Sequence, residues 1–92
     1  MPTSQSQNTK TFSTAAPTNA AAAVLAANAD RERALIYNNG AQTVYLGKDN
    51  TVTTANGFPL APGASIEDDR TADAWWGIVS SGTGDLRIVE VV

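Results

Sequence analysis

Turn-forming clusters interrupt this chain at short, regular intervals, and that spacing limits what it can fold into. The clusters are residues 28–32, Asn39-Gly40, residues 47–50, residues 55–57, Pro62-Gly63 and residues 80–84. Short runs of β-branched, aromatic and aliphatic residues lie between them. A turn every 8–12 residues or so is the signature of a β-sandwich or barrel. The expected fold is all-β: a small antiparallel β-sandwich, jelly-roll-like or barrel-like, of about seven or eight strands.

The clearest local signal lies in residues 33–47. Asn39-Gly40 is a strong hairpin sequence, because both residues tolerate positive φ. Residues 34–37 and 43–46 are therefore expected to pair across it. Leu35 and Tyr37 share one face of the first strand, and Ala34 and Ile36 the other. Residues 51–54 form a further short β-branched run. Pro59 cannot donate to a ladder, so residues 58–60 belong at a sheet edge or outside the sheet. Pro62-Gly63 fits the centre of a type II turn. Residues 80–84 read as a hairpin loop leading into a last strand at 85–92.

Residues 20–27 are ambiguous. Alanine is the best helix former, with Asn19 as a candidate N-cap and Asn28 as a stop. Eight residues are nevertheless too few for a helix resting on propensity. A strand is expected, in keeping with the all-β surroundings.

Residues 1–19 are dominated by Ser, Thr, Gln, Asn and Ala, with Phe12 the one large aromatic. So polar a segment does not bury enough surface to offset its ordering entropy. Residues 1–8 are expected to form a flexible arm, and residues 10–13 an edge strand anchored by Phe12. The sandwich proper is expected over 20–92. Thr3, Ser4, Gln5 and Phe12 are candidate partner contacts, on the reading that the arm orders on a partner.

Composition removes several function classes. The 92 residues carry 6 basic and 9 acidic side chains, a net charge of −3. Nucleic-acid binding needs clustered Lys and Arg, so none is expected. With no Cys there is no disulfide and no thiolate metal site. With no His the commonest general base and metal ligand is missing. No apolar run approaches the ~20 residues of a membrane span, and the start has no leader pattern. Synthesis in the cytoplasm, no membrane association and no cofactor are the expectations.

The remaining candidate sites are weak. Glu67, Asp68, Asp69 and Asp73 offer oxygen ligands for a hard cation but lack the spaced, Gly-containing loop of an EF-hand. They read as a solvated loop paired with Arg70. A two-carboxylate glycosidase site needs a cleft, and so short a chain has little with which to build one. Gly82-Thr83-Gly84 lacks the Lys and helix of a phosphate loop. No catalytic residue is expected.

Trp75-Trp76 is more informative. Adjacent strand residues point to opposite faces, so only one indole enters a two-layer core. Burying one is worth about 4–6 kcal/mol as an upper bound. Trp76 shares parity with Ile78 and is expected in the core. Trp75 shares parity with Asp73 and is expected on the opposite face, covered by a neighbouring molecule or else by the N-terminal segment. A β-bulge within residues 73–77 would break the alternation.

From about Leu25 to Val92 the chain resembles a group of small virion proteins and modules of tailed bacteriophages. The motifs that carry the resemblance are Asn28-Ala29-Asp30-Arg31, Tyr37-Asn38-Asn39-Gly40, Val44-Tyr45-Leu46-Gly47, NGFPLAPG (56–63) and SGTGDLRIVE (81–90). The resemblance implies a compact β-sandwich on a phage particle, a head decoration (cement) protein or a head- or tail-fibre module. It implies a capsid-surface location, the major capsid protein as partner, a homotrimer, and no catalytic residue. Trp75-Trp76 stands where the group has smaller apolar residues, which points to an interface specific to one particle. A host-surface glycan-binding module, with an exposed Trp stacking on a sugar, is the alternative from another class.

Overall fold

A computed structural model describes residues 9–69 and 71–92. Thr3, Ser4, Gln5 and Arg70 lie outside the described residues, and with them the expected arm and the expected Arg70 pairing. The strands are β1 (Lys10–Ala15), β2 (Ala22–Leu25), β3 (Arg33–Asn38), β4 (Val44–Gly47), β5 (Phe58–Leu60), β6 (Ser65–Asp69), β7 (Trp75–Ile78) and β8 (Leu86–Val91). They form two antiparallel four-stranded sheets. Sheet A runs β1-β8-β3-β6 and sheet B runs β2-β7-β4-β5. This order is a jelly roll, and the all-β sandwich expected from turn spacing is the observed fold.

Alternation puts the core between the sheets. Ala34, Ile36, Leu86 and Ile88 project inward from sheet A, and Val44, Leu46 and Leu60 from sheet B; all are buried. Val24 and Leu25 are both buried although adjacent, because the β2–β7 register shifts between Ala23 and Leu25. The bulge turns two consecutive side chains inward. Residues 22–25 are thus a strand, as expected for the alanine-rich segment.

Pro59 lies on β5, the edge of sheet B, where its missing N–H costs no ladder bond. Gly63 has φ +81°, and the Ala64 amide donates to the Ala61 carbonyl at 2.9 Å. This closes the expected type II turn.

Two expectations are corrected. Residues 34–37 and 43–46 do not pair: β3 lies in sheet A and β4 in sheet B. Gly40 is not among the glycines of positive φ, so the segment is no type I′ turn. Asn38 decides the path instead. It is fully buried, donates from Nδ2 to the Gln42 and Leu60 carbonyls at 2.8 Å each, and accepts the Gly40 amide at 3.0 Å. These bonds steer the chain across to the other sheet. Residues 80–84 likewise join β7 of sheet B to β8 of sheet A, and so are not a hairpin loop. Residues 51–54 form no strand. The Asp49 carboxylate accepts the Thr51 amide, Asn56 Oδ1 accepts the Thr53 amide at 2.7 Å, and these turns hold the loop.

Candidate functional site

One residue of the acidic stretch, Asp68, joins Arg31 and Glu90 in a buried charged cluster at one end of the sandwich. Asp68 and Glu90 flank the small Ala34 in one inward-facing row, read from the registers Ala34↔Asp68 and Ala34↔Glu90. Arg31, 5% exposed, enters beside them. Its Nε donates to Glu90 Oε2 at 2.8 Å, Nη2 to the Ala26 carbonyl at 2.6 Å, and Nη1 to the Asp73 carbonyl at 2.8 Å. Asp68 Oδ2 lies 3.9 Å from Nη1 and accepts from Thr71 Oγ1 at 2.6 Å and Trp75 Nε1 at 2.7 Å. Asn28 Nδ2 adds a bond to Glu90 Oε2 at 3.3 Å. Among the described residues no buried side-chain N or O lacks a partner.

The Asp68 carboxyl therefore titrates below its ordinary range. Burial alone would raise it, but the Thr71 and Trp75 donors, the Thr71 amide and the Arg31 charge together favour the anion. The expected solvated acidic loop is corrected in part: Glu67, Asp68 and Asp69 lie on β6, and Asp68 is a buried inward strut, while Glu67, Asp69 and Asp73 are exposed as expected. Among the described residues no group of acidic side chains is arranged to hold a metal ion. The oxygens aimed into the cluster, Asp68 Oδ2 and Glu90 Oε2, face guanidinium, hydroxyl, side-chain amide and indole donors. Its chemistry is clamping: one guanidinium ties the segment after β2, the β6–β7 connection and β8 together.

The tandem tryptophans are placed opposite to expectation. Trp75 packs against the core and gives its N–H to Asp68. Trp76 lies outward, paired with Ala23 and Gly47. Gly77 explains the phase. It is the buried inward residue of β7, and a Cβ there would already meet Val24 Cγ1 at 3.1 Å and Val44 Cγ1 at 3.2 Å. A side chain there would crowd both valines, so the slot favours glycine, and its inward position goes with Trp75 inward and Trp76 with Ile78 outward.

The two sheets each present an outer face. On sheet B the registers Ala23↔Trp76↔Gly47 and Ile78↔Tyr45↔Pro59 make two rows with no charged side chain. On sheet A one row runs Phe12↔Val89↔Leu35↔Glu67. Phe12 is 74% exposed, Leu35 40% and Tyr37 39%. Phe12 is thus a surface residue, as a partner contact must be, and does not anchor β1. Sequence reasoning missed Trp76, Tyr45 and Leu35. The parity of their strands was legible, but which parity faced out was not.

No protein-family model matches the chain, and no curated protein sequence matches it significantly. Among solved structures it is similar to a cupin-2 domain-containing protein from Shewanella frigidimarina, with 8% identity and TM-score 0.58 over 90% of this chain and 71% of that one. A conserved protein of unknown function from Streptococcus pyogenes gives 9% identity and TM-score 0.58 over 92% of this chain and 65% of that one. A de novo designed double-stranded β-helix gives 16% identity and TM-score 0.52, covering 91% of this chain and 99% of the design. Identities this low establish the fold alone: a double-stranded β-helix with little added to it. One such fold hosts many functions, so function has to be argued from surfaces.

Proposed function

We propose that this chain is a non-enzymatic structural protein of a bacteriophage virion that docks on the assembled capsid and stabilises it. The observation that carries the reading is the uncharged outer face of sheet B, where Trp76, Tyr45, Ile78 and Pro59 form contiguous rows. Partner sites are enriched in large aromatic residues and depleted in charge at their centre. The two buried carboxylates, Asp68 and Glu90, are engaged in the Arg31 clamp. Binding to assembled shell and not to free subunits would stabilise the shell by mass action. The sequence resemblance supplies the capsid, the major capsid protein and the homotrimer, and a fibre module is its variant.

A shallow depression lined by Lys48, Thr71, Asp73 and Trp75 favours the second reading, glycan binding, because it combines an indole with hydrogen-bonding groups. Co-sedimentation separates the two. Binding to empty shells that is lost in Trp76→Ala supports the capsid reading. Retention on immobilised host polysaccharide, lost in Lys48→Ala and not in Trp76→Ala, supports the glycan reading.

A further inference from the structure

Among the described residues four strands form the edges of the sheets: β1 and β6 in sheet A, β2 and β5 in sheet B. An open edge presents a row of backbone donors and acceptors and pairs with another chain unless something guards it. Three of the four are guarded. β2 carries the register shift between Ala23 and Leu25. β5 is three residues long with Pro59 at its centre. β6 carries Glu67, Asp68 and Asp69, and Asp68 points inward. β1 has no bulge, no proline and no inward-pointing charge. It is six residues, KTFSTA, in unbroken register with β8, and Lys10 is its one charge. It is also exposed on both faces from Lys10 to Thr14, so it depends almost wholly on the β8 ladder.

The phase of that ladder fixes which backbone groups are open. Thr9 and Val92 exchange both N–H···O bonds, at 3.0 Å each. Antiparallel pairs alternate between bonded and non-bonded positions. In the register Lys10↔Val91 through Ala15↔Leu86, Thr11, Ser13 and Ala15 therefore turn their backbone groups to β8. Lys10, Phe12 and Thr14 turn theirs to the open side, where no described strand pairs with them.

We propose that β1 pairs antiparallel with β1 of a second copy of this chain, about a two-fold axis at Phe12, joining two A sheets into one continuous sheet. This register uses all three outward residues. Phe12 exchanges both bonds with Phe12 of the second copy, and Lys10 and Thr14 exchange theirs crosswise. A register centred on Thr11 or Ser13 leaves one outward residue of each strand without an opposite number within β1. The Phe12 register also sets the two Phe rings cross-strand, a favourable aromatic pair. It joins the two Phe12–Val89–Leu35 rows end to end and places no like charges directly opposite. The contact does not rest on the capsid reading, and it is compatible with a three-fold association through another surface.

The test uses the full chain without shells. Sedimentation equilibrium should show a monomer–dimer equilibrium between micromolar and millimolar protein. As concentration rises, the amides of Lys10, Phe12 and Thr14 should exchange more slowly, while those of Thr11 and Ser13 stay unchanged. Phe12→Lys sets two lysines face to face, and Thr14→Lys sets a lysine opposite Lys10 of the second copy. Each should weaken the dimer about tenfold or more, and adding Lys10→Glu to Thr14→Lys should restore it. Leu35→Lys, on the same face but two strands from the edge, should leave it intact. A monomer throughout overturns the proposal. So does a dimer indifferent to Phe12→Lys and Thr14→Lys, a dimer lost in Leu35→Lys, or association without protection of those three amides.

Discussion

Arg31 shows how much of this molecule can hang on one side chain. It is buried, its donors reach Glu90 and the carbonyls of Ala26, Thr71 and Asp73, and its charge faces Asp68. Removing one partner of a buried ionic group leaves the rest uncompensated. Arg31→Met is expected to cost about 3–5 kcal/mol in chemical unfolding, a large share of the stability of a small domain. The pH dependence follows from Asp68. The fold lowers its pKa, so the native state favours the anion. The resulting stability is complete above the unfolded carboxyl value of about 4 and is lost as pH falls through the lower folded value. Asp68→Asn should flatten that acid limb of the stability profile, measured by unfolding at a series of pH values. Trp75→Ala should cost about 3–5 kcal/mol, since it empties part of the core and takes a donor from Asp68. Trp76→Ala should cost clearly less. Equal losses in the two variants would contradict the placement of Trp75 inward.

At the scale of elements, glycines set how closely the strands and loops approach. A Cβ on Gly47 would lie 2.6 Å from Val52 Cβ, and Val52 is itself buried under the β4 end. Gly47→Ala is expected to destabilise by about 1–3 kcal/mol through overpacking. Gly63 differs: nothing lies near a Cβ there, but its φ is +81°. Gly63→Ala should cost about 1–2 kcal/mol from backbone strain alone. Thermal unfolding of both variants separates the causes. A compensating Val52→Ala should recover much of the Gly47 loss and none of the Gly63 loss. The connections between sheets obey the same local logic. The Asn39 amide donates to the Asp85 carbonyl at 2.8 Å and its side chain to Asp85 Oδ2 at 3.0 Å, so the β3–β4 and β7–β8 crossings brace one another.

At the scale of the whole molecule, the two ends of the sandwich are tied and its outer faces are left for contact. Asn28 and Arg31 meet Glu90 at one end, while Asn38 and Asn39 meet Leu60 and Asp85 toward the other. These residues belong to the motifs that carry the virion-protein resemblance, and every one of them works inside the fold. If the proposed capsid contact is made by the outer face of sheet B, a division of labour follows. Trp76→Ala should reduce co-sedimentation with empty shells at least tenfold, as expected for a central aromatic contact worth about 2 kcal/mol or more, while leaving the melting temperature of the free domain little changed. Arg31→Met should do the reverse at temperatures where it still folds.

The Pro59 edge and the Pro62-Gly63 turn were legible in the sequence because each rests on a local backbone restriction of one or two residues; turn spacing gave the all-β class, and that class in turn gave the strand at 22–25 against the local helix preference of alanine. Strand partners were not. Asn39-Gly40 permits a hairpin, but the buried Asn38 amide finds its acceptors at Gln42 and Leu60, and Leu60 is remote in sequence. Parity was legible for Trp75 and Trp76, yet its phase was set by contacts of Gly77 with Val24, Val44 and Leu46, which exist only once the sheets pack. The acidic stretch was read as solvated because nothing local reveals that Arg31 and Trp75 converge on Asp68. Local sequence restricts φ, ψ and side-chain alternation, and that determined the strands and turns of this protein. Which strands pair, which face is buried and which charges are clamped depend on long-range contacts between residues such as Arg31 and Glu90, and those the tertiary structure alone decided.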